Sequence, residues 1–293
     1  MQFDRVAKDG ETKEPVDVST VELRLPSGGV DYGSLCDGTV QVRPPRVKEV
    51  EFLADMNPEN YDEMLTRMIR SLVVSPVALD PRAMTIGDRQ HLHVWTRAQI
   101  DPIYRFEAGC PNPKCGHVNE KFELKIESIP IKSVPDKYAT NMKLTLPRSK
   151  SVVAVHLETA RDRATCESMQ DKGFAEWGAR RALVITSVDG RQMSAEEKCE
   201  WFRGLGAGDD SFMTEYLKWQ VHGPDFANCP FKCGKCGEEG VISMPFRLEF
   251  FMPTVQSANT FEQAIRGGDD VEDGGVPGDG GDSGDGVREV RVG

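Results

Sequence analysis

Two short strings, Cys110-Pro-Asn-Pro-Lys-Cys115-Gly and Cys229-Pro-Phe-Lys-Cys233-Gly-Lys-Cys236-Gly, hold five of the eight cysteines and constrain this chain more than any other feature. A tight turn with two cysteines a few positions apart, a Pro after the first and a Gly after the last, lets two thiolates and nearby amides converge on one ion. Two such knuckles supply a tetrahedral four-cysteine set. Each string leads into a β-prone stretch, which is the zinc-ribbon arrangement, so the expectation is one bound zinc per chain. Reduced free thiols would leave both turns as exposed reactive loops and give no reason for their Gly and Pro. The first knuckle offers Cys110 and Cys115; the second offers three thiols for two places. Cys233 and Cys236 have the usual two-residue gap and are preferred. Cys229 with Cys233 is the rival, because that string repeats the first knuckle. His117 reads as a turn residue rather than a substitute ligand, and Cys36, Cys166 and Cys199 read as small buried hydrophobes. Four thiolates leave zinc no open position for water or substrate, so such a site is structural and not catalytic. Lys114, Lys232 and Lys235 stand beside it to offset its negative charge.

Clustered cysteines in a chain whose first residues lack the apolar run of a signal peptide are expected to mean metal and a cytosolic setting rather than a disulfide framework. Residues 1–18 carry alternating charge, and no apolar run approaches the ~20 residues that cross a bilayer. With 293 residues the chain is long enough for a real core and about two domains. The net charge of −11 disfavours binding to a phosphate backbone. Between Gly267 and Gly286 there are nine glycines, seven acidic residues and no basic ones, a composition expected to be a disordered, solvated tail. Its Asp279, Asp282 and Asp285 recur every third residue and fit no calcium loop.

From residue 21 to 42 short β-prone pieces, Leu23 with Leu25 and Val40 with Val42, read as an extended arm or a few edge strands. Asn57 and Pro58 cap a helix whose Tyr61, Met64, Leu65, Met68, Ile69 and Leu72 fall at spacings of three and four. Asp88 is expected to cap a second helix running to about Gln99; on it His91 and His93 face different ways and share no metal. Strands are expected over 103–107 and 121–129, and a hairpin of 142–146 with 152–157 around Pro147-Arg148-Ser149-Lys150. Helical patterns follow at 159–170, 174–184, 195–203 and 211–220, then strands at 241–244 and 247–252. The 113 residues between Cys115 and Cys229 make the middle an insertion that the metal closes off. The expected class is α+β: a zinc-ribbon-like β core with an inserted helical subdomain, an extended N-terminal arm and a disordered acidic tail. Its divisions are the arm (1–50), a helical segment (51–105), the first knuckle and strand (106–130), the inserted subdomain (131–222), the second knuckle and strands (223–254) and the tail (255–293).

No hydrolase elbow, phosphate loop, zinc-protease or kinase motif is present, and the chain reads as non-enzymatic. Gly204, Gly206 and Gly208 follow a helix rather than a strand, which makes a helix–helix turn with Asp209 or Asp210 capping the next helix. His156 and His222 have no base or nucleophile partner at the level of sequence.

In order, Leu25-Pro26-Ser27-Gly28, Ile86-Gly87-Asp88-Arg89, an aromatic strand into a Cys-Pro…Cys-Gly knuckle, Leu146-Pro147, Val188-Asp189-Gly190, a second knuckle and Phe250-Phe251-Met252-Pro253 resemble the T4-type phage baseplate protein family of hub and related tail proteins. The resemblance spans about residues 21–253. It implies a zinc-stabilised structural component of a contractile-tailed bacteriophage baseplate, with other tail and baseplate proteins, or a second copy, as partners. It implies a place in the virion after assembly in the host cytoplasm, and neither nucleic acid nor membrane as a partner. The other roles that fit the residues are an assembly chaperone absent from the virion and a zinc-ribbon adaptor for nucleic acid or transcription machinery. The five-residue step from Cys110 to Cys115 and the extra Cys229 depart from a plain two-residue pattern and leave the ligand choice open.

Overall fold

The structure, a computed structural model, describes residues 19–136, 142–218, 220–245 and Phe250. Helices and strands interleave irregularly, and the class is mixed α+β. Strands β1 (Val21–Arg24) and β2 (Thr39–Val42) pair antiparallel, with Leu23 opposite Val40. After α1 (Val47–Ala54) and α2 (Tyr61–Leu72), β3 (Val73–Ser75) closes on the other side of β2. The apolar stripe of α2, Leu65, Met68, Ile69 and Leu72, packs with Val40, Val42, Leu53 and Leu92 into one buried core; Leu92 comes from α3 (Ile86–Ile100). Of the two readings of residues 21–42 the strands hold and the extended arm does not: β1 is an edge strand, and β2 lies between β1 and β3. Their alternating apolar side chains find a helical cover within the same chain, so the hairpin is built into the core.

Two expected helix starts move for local reasons. The Asn57 side-chain oxygen accepts the amides of Glu59 and Asn60, each at 3.0 Å, and so makes a separate turn; Asn60 stands at the N-cap of α2. For α3 the cap is Thr85, whose hydroxyl accepts the Asp88 amide at 3.3 Å. Asp88 instead points inward.

Next come the antiparallel strands β4 (Ile103–Gly109) and β5 (Val118–Lys125), bulged between Phe106 and Ala108. Strand β6 (Ile131–Lys132) then leaves this body. The excursion holds β7 (Lys143–Thr145), β8 (Val152–Val155), α4 (Ala160–Asp171), α5 (Glu176–Leu183), β9 (Ile185–Val188), α6 (Ala195–Arg203) and α7 (Ala207–Lys218). Its sheet runs β7–β8–β9, and Leu146, Val153, Ala182, Ile185 and Met213 fill a second core of its own. The chain returns through β10 (Gly223–Pro224), which pairs antiparallel with β6, Lys132 opposite Gly223. An Asp225 amide bond to the Pro130 carbonyl (2.7 Å) and a Lys132–Asp225 ion pair (2.8 Å) reinforce this neck. Gly204 does end α6, but Asp209 does not cap α7: its carboxylate takes the Arg148 and Ser149 amides at 2.7 and 2.8 Å and holds the β7–β8 turn.

A last antiparallel pair, β11 (Cys229–Lys232) and β12 (Glu239–Ile242), follows the neck. Of the strand expected over 247–252 only Phe250 is described; it is buried, and its carbonyl accepts Arg97 Nε at 2.7 Å. The expected acidic tail, and residues 1–18, lie outside the described residues. Among the described residues no helix is long and apolar enough to cross a membrane.

Candidate metal centre

Both late hairpins carry their cysteines at the tip. In the first, the Cys110 amide donates to the His117 carbonyl (2.8 Å), and Asn112 receives the Cys115 amide on its carbonyl (3.0 Å) and the Lys114 amide on its side chain (2.9 Å). His117 thus contributes its backbone to the turn. In the second, the Cys233 amide donates to Glu238 (2.8 Å) and the Gly237 amide to Cys233 (3.0 Å). The glycine after the last cysteine of each knuckle has positive φ, +59° at Gly116 and +74° at Gly237, which is where a side chain is disfavoured.

Aromatic packing brings the tips together. Phe106 meets Phe122 edge-on at 5.5 Å between centroids, and Phe122 meets Phe231 of the other hairpin at 5.0 Å. Asn119 ties the two hairpins: its side-chain amide donates to the Ala108 carbonyl (3.2 Å) and its side-chain oxygen accepts the Gly234 amide (3.0 Å).

Cys110, Cys115, Cys233 and Cys236 then converge, with all four sulfurs within 4.8 Å of one another. The sulfurs of Cys110 and Cys236 are 3.7 Å apart, those of Cys115 and Cys233 4.0 Å. A tetrahedron of thiolates with metal–sulfur bonds of about 2.3 Å has edges of about 3.8 Å, and the two closest pairs already match it, so the donor set fits one tetrahedral ion with at most small side-chain shifts. Electrostatics point the same way. Amides of Cys236 and Lys235 donate to Cys233 and bring its thiol down to about 6. Loss of water and the neighbouring sulfurs push Cys110 up to about 12. Cys236 is raised too, by desolvation and adjacent thiols, although the Glu238 amide opposes the shift. The Cys233 thiolate forms readily while those of Cys110 and Cys236 resist, because like charges crowd at van der Waals distance; a bound dication removes that conflict.

Cys229 lies elsewhere. It is fully buried in the main core, its thiol facing the carbonyls of Asp225 and Phe226, and burial with Asp225 pushes it up to about 11. The reason is strand geometry: from Cys229 to Cys233 the chain is extended, and four residues of strand span about 13 Å, too far for two sulfurs on one ion. The alternation Cys229, Phe231, Cys233 carried that signal. Cys36, Cys166 and Cys199 are buried apart from the cluster. Lys232 pairs with Glu239 (2.8 Å), while Lys114 and Lys235 are exposed beside the site.

Sequence reasoning missed a polar junction that positions α3. The buried Asp88 carboxylate accepts the Ser27 amide (2.8 Å), the Ser27 hydroxyl (2.5 Å) and the Tyr32 hydroxyl (2.6 Å), and Tyr32 oxygen accepts the Thr85 amide (2.9 Å). Burial and the adjacent carboxylate raise the Tyr32 phenol well above its ordinary value. His222, whose Nδ1 donates to the Gln220 carbonyl (2.7 Å), accepts the Thr85 hydroxyl on Nε2 at 2.7 Å. His156 meets Asp162 at 3.0 Å and Thr186 at 3.3 Å, within the α4 cap. Both histidines have partners that only folding supplies. No protein-family model, curated protein or solved structure matches the chain.

Proposed function

We propose that this chain is a zinc-pinned, zinc-ribbon-like structural protein that works by protein–protein assembly in the baseplate of a contractile phage tail, and that it performs no catalysis. The observation that carries the structural part is the convergence of Cys110, Cys115, Cys233 and Cys236 at the tips of two packed hairpins. Four thiolates saturate a tetrahedral ion, so the metal's contribution is cohesion. The soft donor set selects zinc over the oxygen-seeking cations. The tail setting is supported by the ordered strings of the sequence, two of which, around Ser27 and around Asp88, meet directly through hydrogen bonds.

The test has two arms. Protein purified under reducing conditions should contain one zinc per chain, and Cys233→Ser should lose it and become protease-sensitive between residues 110 and 238; near-zero zinc with freely titrating thiols in the parent protein refutes the metal centre. Mass spectrometry of purified particles should find the chain in the virion. Its absence from particles that assemble normally, or specific nucleic-acid binding at moderate salt, refutes the baseplate role.

A further inference from the structure

A cleft of about 600 Å³ opens where the first turn of α3 meets α4, α5 and α7. Its wall carries four cations, Arg163, Arg180, Arg181 and Lys218, and one carboxylate, Glu158. Glu158 is shared: Arg180 grips it with two bonds of 2.8 Å, and Arg163 reaches the same group at 3.5 Å. One carboxylate thus serves two guanidiniums, and positive charge is left over in a chain whose net charge is −11. Arg181 leans towards Asp210 at 3.4 Å and lies 5.0 Å from the Trp177 ring, while Lys218 pairs along its own helix with Glu215.

Two further observations point to a ligand. Trp177 is 57 % exposed at the rim, a large apolar face with an unfilled side. In the wall, Gln220 is only 9 % exposed, yet its side-chain Nε2 has no hydrogen-bond partner among the described residues. A buried donor without an acceptor costs about 1–3 kcal/mol. Nε2 is closed off as it stands, and a turn of the side chain towards the cleft brings it to an incoming oxygen and removes that cost.

We propose that this cleft docks an acidic segment of a partner protein, its carboxylates taken by Arg163, Lys218 and the Gln220 amide, and an apolar side chain laid on Trp177. The size suits a few residues of extended chain rather than a folded domain. Carboxylate rather than phosphate is favoured because a nucleic acid needs a continuous basic track, and here the cations are confined to one cleft of an acidic protein. Guanidinium already recognises carboxylate in this wall, as the Arg180–Glu158 pair shows. The proposal is independent of the metal centre, all four of whose ligands lie in hairpins that line no part of the cleft.

The experiment titrates the whole protein, zinc-loaded, with fluorescein-labelled Asp/Glu-rich peptides carrying one Leu, against a Gln-for-Glu peptide and a single-stranded oligonucleotide. The acidic peptide should bind at least about tenfold tighter than the neutral one and weaken with salt. Lys218→Glu and Arg163→Gln should each weaken it about tenfold, and Gln220→Leu by a smaller factor. Tryptophan quenching should disappear in Trp177→Phe. Zinc content and thermal midpoint certify that each variant is folded, and Lys218 is exposed enough that its substitution leaves the core intact. Equal affinity for acidic and neutral peptides overturns the proposal. So do folded charge variants that bind like the parent, and an oligonucleotide that displaces the peptide at lower concentration than unlabelled peptide.

Discussion

Asp88 and Glu49 are buried carboxylates whose partners lie far away or in the next turn, and each makes a testable demand. Removing Asp88 leaves the Ser27 amide, the Ser27 hydroxyl and the Tyr32 hydroxyl without their acceptor. Asp88→Ala should therefore lower the unfolding free energy by roughly 3–5 kcal/mol in urea titration, and Asp88→Asn, which keeps one acceptor oxygen, by less. For Glu49, burial pushes the carboxyl up, but bonds from Arg43, Ser71 and the Arg46 amide outweigh it and hold the group at about 2, below its ordinary 4.5. A folded value below the unfolded one means stability that is complete above pH 4.5 and lost as pH falls towards 2. The amount is about 3 kcal/mol. Glu49→Gln should flatten the acid limb of stability in that window; an unchanged limb counts against the assignment. At the centre itself, Cys229→Ser should keep its full zinc content in the assay where Cys233→Ser loses it.

Gly87 shows how elements are fitted together and what the sequence alone conveyed. A methyl group there would sit 2.5 Å from the His222 carbonyl oxygen, and Gly223, at φ +97°, faces the Gly87 backbone in return. The start of α3 and the strand β10 thus touch backbone to backbone. Gly87→Ala should lower stability by about 1–3 kcal/mol, whereas Gly206→Ala, with open space around it, should be close to neutral in the same thermal scan. Periodicity made α2 and α6 legible, since their apolar positions repeat locally, and the two knuckles announced the four-sulfur cluster because turn, proline and glycine are all local. Long-range partners were not legible. Asp88 looked like a cap because nothing in the sequence places Ser27 and Tyr32 above it, and Cys229 looked like a ligand because spacing ignores whether the chain between two residues is a turn or a strand. Val40 and Val42 read as an arm or edge strands for the same reason: the helix that covers them is named only by the fold.

Across the whole described body, two large cores are built from different stretches of chain, a small third one lies between the two cysteine hairpins, and the four-sulfur cluster joins only those hairpins. Chelation under mild denaturant should therefore raise amide exchange at residues 110–117 and 233–238 at least about tenfold while strands β8 and β9 keep their protection, since their core of Val153, Ile185 and Ala182 does not touch the sulfurs. Uniform loss of protection would show one cooperative unit instead. The neck also shortens the loop left for the four-sulfur cluster to close, because β6 and β10 already hold the two ends of the excursion side by side. Lys132 and Gly223 are ladder partners, so their Cα atoms stand only about 5 Å apart, a gap that an Asn-Gly turn spans. A chain with residues 133–222 replaced by that turn should still fold and hold one zinc, and a metal-free or aggregated product would refute it. In genetic terms the middle of this sequence is laid out like a cassette: the buried apolar residues of the first core all come from the flanking stretches, and none from the segment between them.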